Sequence, residues 1–176
     1  FASRHGELHR TVGLIQSILE GEDASPMAFS QSVHNTAAGL TTIAAKAPIP
    51  LTSISSGQDT FHNALIEAAI YLQEQPNHKV LVIDFDQPLP TFYSEFEDQG
   101  FSDYAFGLVI SSGEQYHLSR SVNRPISHSE LESKTQSSPD DTFRKPQGIL
   151  VLQKILSDSD AWSISGQNQA WHWAKN

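Results

Sequence analysis

The stretch Ser53–Gln58 has the form of a strand that turns abruptly into a helix, an arrangement that many acyl-transfer enzymes use to present a nucleophile. Its first three residues are β-prone, and from Phe61 onward apolar residues recur at helical spacing. The first free N–H groups of such a helix point at whatever side chain stands at the corner. Here that side chain belongs to Gln58, and an amide cannot attack an acyl group. We therefore expect a nucleophile's position without a nucleophile.

A second candidate for chemistry is the pair Asp84 and Asp86, which directly follows an apolar, strand-like run. This spacing resembles the first motif of haloacid-dehalogenase-type phosphatases, in which the first carboxylate attacks phosphorus, the second handles the proton and Mg²⁺ screens the charge. Asp140 and Asp141 would then be the later metal-binding acids. Those acids lie in a Ser/Pro-rich stretch, however, and the small residues expected after the second aspartate are missing. The alternative is a pair of strand-end carboxylates on a turn.

Histidine and serine chemistry has less support. The eight histidines include one pair at helical spacing, His5 and His9, but the spacing places no third ligand beside it, so we expect no metal site. The chain contains no G-x-S-x-G elbow of the kind that serine hydrolases use. No cofactor is expected either.

Composition limits the function classes further. A chain of 176 residues with 38% apolar and 18% charged residues suits one globular domain over 1–176. The net charge of −9 argues against a nucleic-acid partner. The longest apolar runs are too short for a membrane span, and the absence of cysteine excludes disulfides and thiolate chemistry. A cytoplasmic protein fits best, and Phe1 resembles a mid-strand residue, so we expect a longer natural chain.

Helices and strands must alternate along the chain to position these residues, which predicts a layered α/β fold. The run Val80–Ile83 is continuously apolar, which predicts a strand covered on both faces. Ser25 followed by Pro26 is a helix-start signature, and small residues dominate the stretch after it. The expected elements are a helix over 8–20, a small-residue stretch over 27–45, and then strand 51–56, helix 59–74, strand 79–86 and strand 103–110.

The second half of the chain has a different character. We expect residues 111–147 to form a mobile Ser/Pro-rich loop within the domain. Residues 148–156 are apolar enough for a helix or a strand. The end of the chain predicts a hairpin, with Trp162 on one strand and Trp171 and Trp173 on one face of the other.

Outward from the corner, the sequence resembles the β-ketoacyl synthase family of the thiolase-like fold. Asn35 and Gly39, a following helix, Pro50 and the turn into the next helix carry this resemblance. In ketosynthases the reactive cysteine follows the corresponding proline by eight residues, and that position here is Gln58. The string SPMAFSQSVHNTAAGL is closer still to short proteins similar to chain-length factors, encoded with aryl-polyene and related assembly lines. The residues of that motif are Ser25, Pro26, Phe29, Ser30, Ser32, His34, Asn35 and Gly39.

The resemblance, good over residues 1–90 and weak over 111–176, implies a fold and a function. The fold would be thiolase-like α/β, with a central mixed sheet flanked by helices. Chain-length factors are known for glutamine in place of the cysteine, which implies a noncatalytic subunit that pairs with an active ketosynthase and shapes its acyl tunnel. The chain also does not extend to the two active-site histidines of ketosynthases. The tunnel and dimer-interface residues would be Leu51, Ser53, Ser55, Gly57, Gln58 and Phe61.

The resemblance also implies partners. A dimer with the ketosynthase of a type II fatty acid or polyketide (aryl-polyene-like) system is expected, and acyl carrier protein would be met mainly through that ketosynthase. The alternatives are the phosphatase that uses Asp84 and Asp86, and an interaction module that keeps the fold without an acyl substrate. A purely structural reading also exists for Gln58, in which it caps the helix that follows it.

Overall fold

The computed structural model describes residues 1–122 and 145–176, which form two compact units. The first unit comprises Phe1–Glu97 and Phe101–Ser112, and the second comprises Asp98–Gly100 and Gly113–Asn176. Each unit has its own antiparallel strands and its own buried core. The single domain expected over 1–176 stays a prediction.

The first unit contains a small sheet of mixed direction. Its two long strands pair antiparallel, with Asp86 opposite Tyr104. An extended segment at Ala2 bridges in parallel to both Asp84 and Ile54, which adds parallel neighbours on the other side of the first strand. The elements of this unit are α1 (Leu8–Leu19), α2 (Pro26–Ser30), α3 (Thr36–Ala44), α4 (Thr60–Glu74), β1 (Lys79–Asp86), a 3-10 helix (Thr91–Phe96) and β2 (Tyr104–Ser111).

Helix α4 supplies most of the core of the first unit, and it packs on β1. The predicted bounds of α4 were close, because its apolar residues recur at the spacing that puts them on one helical face. Each large apolar side chain that is fully buried in this way contributes roughly 1.5–3 kcal/mol. The buried apolar residues of α4 and β1 are Phe61, Ala64, Leu65, Ala68, Leu72 and Val82.

The structure corrects two expectations for this unit. Residues 51–56 do not form a regular strand. Only Ile54 pairs with the N-terminal segment, through a single bridge to Ala2. Leu81 and Val109 oppose each other across β1 and β2 and are both more than half exposed, so the described residues leave the Leu81 face of β1 partly uncovered.

The second unit is built on three antiparallel strands, β3 (Tyr116–Val122), β4 (Ala161–Ser165) and β5 (Gln169–Lys175), in the order β3-β5-β4. Helix α5 (Gln147–Leu156) packs on β4. The C-terminal hairpin was predicted correctly. Trp162 and Trp173 are direct cross-strand partners, and their rings stack with centroids 5.3 Å apart and planes 11° apart.

The expected mobile loop over 111–147 is wrong at both ends. Residues Tyr116–Val122 pair with β5, because alternation of Tyr116 and Leu118 with polar residues gives the segment one apolar side. Gln147 already belongs to helix α5. Residues 123–144, including Asp140 and Asp141, lie outside the described residues.

Candidate functional site

The Gln58 corner, defined as Ser56–Thr60, is a tight turn closed by hydrogen bonds. Gly57 has a φ of +56°, a conformation that costs glycine little and other residues more. The backbone N–H of Ser56 donates to Thr60 Oγ1 over 2.8 Å, and that hydroxyl donates to the Gly57 carbonyl over 2.7 Å. Asn63 Nδ2 donates to Ser56 Oγ over 2.8 Å. The corner is therefore fixed by a threonine and an asparagine from the first turns of α4.

Gln58 lies half-buried at the middle of this corner, immediately before the helix. The N-cap position of α4 belongs to Asp59, whose side chain makes no capping hydrogen bond, and the reading of Gln58 as a side chain that caps the helix stays a prediction. Asp59 and Thr60 are both buried. The geometry places one partly accessible amide at the point where the segment 51–56 turns into α4.

The segment before the corner is attached to the N-terminal segment of the chain. Ile54 accepts a hydrogen bond from the Ser3 backbone N–H over 3.2 Å. Ser55 Oγ donates to the Arg4 carbonyl over 2.9 Å. Of the other expected interface residues, Leu51 is exposed and Ser53 is half-buried. Their place in a dimer interface stays a prediction.

Phe61, expected as a tunnel wall, packs into the core of the first unit and is only 2% exposed. Its ring lies 5.8 Å from that of Phe106 on β2 and 5.6 Å from that of His62, in an edge-to-face arrangement. These contacts give Phe61 a structural role in the core of the first unit. Its additional role in lining a tunnel stays a prediction.

Asp86, one of the two candidate phosphatase carboxylates, anchors the N-terminal turn, defined as Ser3–Gly6. It accepts hydrogen bonds from Ser3 Oγ over 2.8 Å, from the Arg4 backbone N–H over 2.7 Å and from the His5 backbone N–H over 3.0 Å. The Gly6 N–H donates in turn to Ser3 Oγ over 2.7 Å. A buried carboxylate with three donors is a structural anchor, and it is not available to handle a substrate proton.

Asp84, the other candidate, lies beneath the sheet surface and is 2% exposed. Burial, reinforced by the neighbouring charge of Asp86, raises the pKa of Asp84 to about 7, and a hydrogen bond with Tyr104 partly opposes this rise. Burial also raises the pKa of Tyr104, and the charges of Asp84 and Asp86 add to that effect. A nucleophile that attacks phosphorus needs in-line access, which this carboxyl does not have. The geometry does not favour the phosphatase alternative.

The motif residues 25–39 are spread over two helices and the segment between them. One motif residue, His34, contacts the N-terminal turn. Ser25 Oγ accepts from the Ala28 N–H over 3.3 Å as the N-cap of α2, with Pro26 following it as predicted. His34 Nε2 donates to the Ser3 carbonyl over 2.8 Å. Gly6 approaches His34 so closely that a Cβ at Gly6 would lie 2.6 Å from His34 Cδ2. The remaining motif residues are local, with Asn35 as the N-cap of α3, Gly39 within α3, and Phe29, Ser30 and Ser32 around the end of α2.

The sequence did not single out Ser3, Thr60 or Asn63, although these residues hold the candidate site together. Thr60 and Asn63 lie one and two helical turns from Ser56, which is a usable signal. Ser3 and Asp86 are 83 residues apart, and no local pattern connects them.

Within residues 1–122 and 145–176, no cluster of three or more His, Asp or Glu side chains is arranged to hold a metal ion. In the same part of the chain, every helix falls short of the length and apolarity that crossing a bilayer requires.

Comparisons with known proteins agree on one relationship. The family model described as "Beta-ketoacyl synthase, N-terminal domain" matches residues 1–174. A solved chain from the structure described as "Ketosynthase (ApeO) in Complex with its Chain Length Factor (ApeC) from Xenorhabdus doucetiae" is 29% identical, with a TM-score of 0.82, over 99% of this chain and 67% of that chain. No curated protein matches significantly. The expected α/β, thiolase-like fold is confirmed by this structural similarity.

Proposed function

The chain belongs to the family of β-ketoacyl synthase N-terminal domains, and we propose that it acts there as a chain-length-factor-like subunit that carries out no condensation itself. The observation that carries this proposal is Gln58. In this proposal Gln58 occupies the nucleophile's position. The corner around it is closed by the hydrogen bonds of Thr60, and the chain has no cysteine.

The partner is an active ketosynthase, with which the chain forms a heterodimer. Support comes from the similarity to a chain of a ketosynthase–chain-length-factor complex. In this proposal the ketosynthase supplies the reactive cysteine and receives acyl carrier protein. The corner of this chain then limits the length of the growing acyl group in a type II fatty acid or polyketide (aryl-polyene-like) system, as a protein of the cytoplasm.

The proposal assigns a physical role to the Gln58 amide. A half-buried amide at the helix start carries two N–H donors and one acceptor oxygen, and it fills a fixed volume. It therefore closes or polarises the end of a cavity without becoming acylated. Control of product length then depends on side-chain volume at Gln58 and Phe61, and not on acid–base groups.

Reconstitution with the ketosynthase of the same gene cluster tests this function. We expect Gln58→Ala to leave the condensation rate similar and to shift the product distribution toward longer chains. Phe61→Leu is a milder change of volume behind the corner, and we expect it to act in the same direction. Product lengths are read by mass spectrometry of the released acids.

Three outcomes are informative. An unchanged distribution for Phe61→Leu alone, in a folded complex, would leave Phe61 as a core residue only. An unchanged distribution for both variants would contradict the tunnel model and favour an interaction module that keeps the fold. Failure of the wild-type chain to bind any ketosynthase would contradict the proposed function itself.

A further inference from the structure

The 3-10 helix Thr91–Phe96 carries an exposed group of rings, which we call the aromatic turn: Phe92, Tyr93 and Phe96. Phe92 is 79% exposed and Phe96 is 64% exposed. Contiguous apolar patches on soluble proteins commonly mark interaction sites. Neither ring lies in the corner or in the motif at residues 25–39, so the proposed function does not yet account for them.

The aromatic turn is held in one shape before any partner arrives. The Tyr93 N–H donates to the Pro90 carbonyl over 2.7 Å, and prolines at 88 and 90 restrict the backbone that leads into it. The Tyr93 ring lies between its neighbours, with centroids 5.3 Å from Phe92 and 6.2 Å from Phe96. Preorganised aromatic side chains lose little conformational entropy on binding, which is typical of interface hot spots.

The charge around the aromatic turn indicates what kind of surface would cover it. Glu95 is exposed beside the rings, and Glu97 follows at the end of the turn. No lysine, arginine or histidine occurs between Lys79 and His117 in the sequence. An apolar pocket edged by Lys or Arg is the complement of such a surface. The anionic headgroups of a membrane would instead be repelled by these carboxylates.

We propose that the aromatic turn is a docking element for the ketosynthase partner, taken up by an apolar pocket edged by Lys or Arg on that subunit. This inference rests on the proposed function, because it assumes that such a partner exists. It adds a contact separate from the Gln58 corner, with Phe92 and Phe96 as the anchors and Glu95 and Glu97 as the charged rim.

The test uses the full chain and the purified ketosynthase of the same gene cluster. The double variant Phe92→Ser/Phe96→Ser removes both anchors, and Leu19→Ser/Leu156→Ser is the matched control, because it removes two apolar side chains elsewhere that are at least about as exposed. We expect the anchor variant to raise the Kd by about 30-fold or more. The control should stay within about three-fold of wild type, which is the scatter expected for surface substitutions. Glu95→Lys should slow association roughly ten-fold at low salt.

Each other outcome overturns the inference in a distinguishable way. If wild type binds and the anchor variant binds equally well, the aromatic turn is not the docking element, while the proposed function stands. If circular dichroism shows that the anchor variant is unfolded and the control is folded, the rings are covered by the chain itself. If the anchor variant instead loses binding to phosphatidylcholine vesicles, the occupant is lipid. If wild type does not bind the ketosynthase, the proposed function fails first.

Discussion

The Gln58 corner and the carboxylates at the end of β1 both suggest catalysis. The corner is accessible but has no nucleophile, whereas the carboxylates are nucleophilic groups without access. The corner has a partly accessible position at a helix start, but its side chain cannot act as a nucleophile. Asp84 and Asp86 have nucleophilic carboxyl groups, but both are buried, and Asp86 is committed to three hydrogen bonds. Reactivity requires a suitable group and access to it at the same place. In the described residues, neither region combines them.

The two regions are also connected. In the N-terminal turn, the Arg4 carbonyl accepts a hydrogen bond from Ser55 Oγ, and the Arg4 N–H donates one to Asp86. The carboxylate that looked catalytic therefore supports the segment that leads into the corner. Substitution of Asp86 should therefore change the free energy of unfolding, whereas substitution of Gln58 should change the length of the acyl product.

The largest expected effect is on stability, in Asp86→Ala. This change leaves the buried Ser3 hydroxyl and two half-buried backbone N–H groups without their acceptor, at about 1–3 kcal/mol for each unsatisfied group. We expect a loss of at least about 3 kcal/mol in the free energy of unfolding, measured by urea denaturation. Asp23→Ala, at an exposed aspartate, is the control and should change it by less than about 0.5 kcal/mol. Similar small effects for both variants would mean that Asp86 is not an anchor.

The next effect concerns Asp84 and pH. Burial raises the pKa of Asp84 in the folded chain to about 7, above its ordinary value of 3.8, so the folded state holds this proton more tightly than the unfolded state. The resulting stability is fully present below about pH 4 and is lost as the pH rises through 7. From pH 5 to pH 8 the loss should be roughly 2–3 kcal/mol.

Asp84→Asn separates this contribution from the other titrating groups, because the amide stays neutral at every pH. The stability of the variant relative to wild type should therefore increase between pH 5 and pH 8, as measured by denaturant unfolding at each pH. A difference between the two proteins that does not vary with pH would show that Asp84 titrates normally.

A smaller effect is expected at Gly6, where the N-terminal turn meets His34. Gly6→Ala would place a Cβ 2.6 Å from His34 Cδ2 at a φ of +54°, and His34 cannot move away without losing its bond to Ser3. We expect a loss of about 1–3 kcal/mol in thermal or urea unfolding. Gly13→Ala in α1 meets no neighbouring atom within 4 Å and should stabilise the chain by up to about 1 kcal/mol. Equal effects at the two glycines would contradict the close packing of the turn.

The sequence was informative where the determinants are local. The periodicity of α4 predicted its bounds closely, and alternation around Trp162, Trp171 and Trp173 predicted the C-terminal hairpin. The position of Gln58 was read from its distance to Pro50, and the family relationship followed from such short-range patterns.

The errors came from long-range partners. Whether residues 51–56 form a strand depends on how many residues the segment at Ala2 offers for pairing, and only a single bridge forms. Asp86 looked catalytic because its three donors are more than 80 residues away in sequence. Tyr116–Val122 was read as loop because its strand partner, β5, lies near the end of the chain.

The most direct test of the central claim is intact-mass analysis of the purified chain after incubation with an acyl carrier protein thioester. The account predicts no covalent adduct on wild type, since Gln58 stands at the nucleophile's position and no cysteine is present. Gln58→Cys, which restores a thiol to the corner, should gain one acyl group faster than the matched variant Ser165→Cys, at an exposed strand residue. A stable acyl adduct on wild type, or equal rates for the two cysteine variants, would contradict the account.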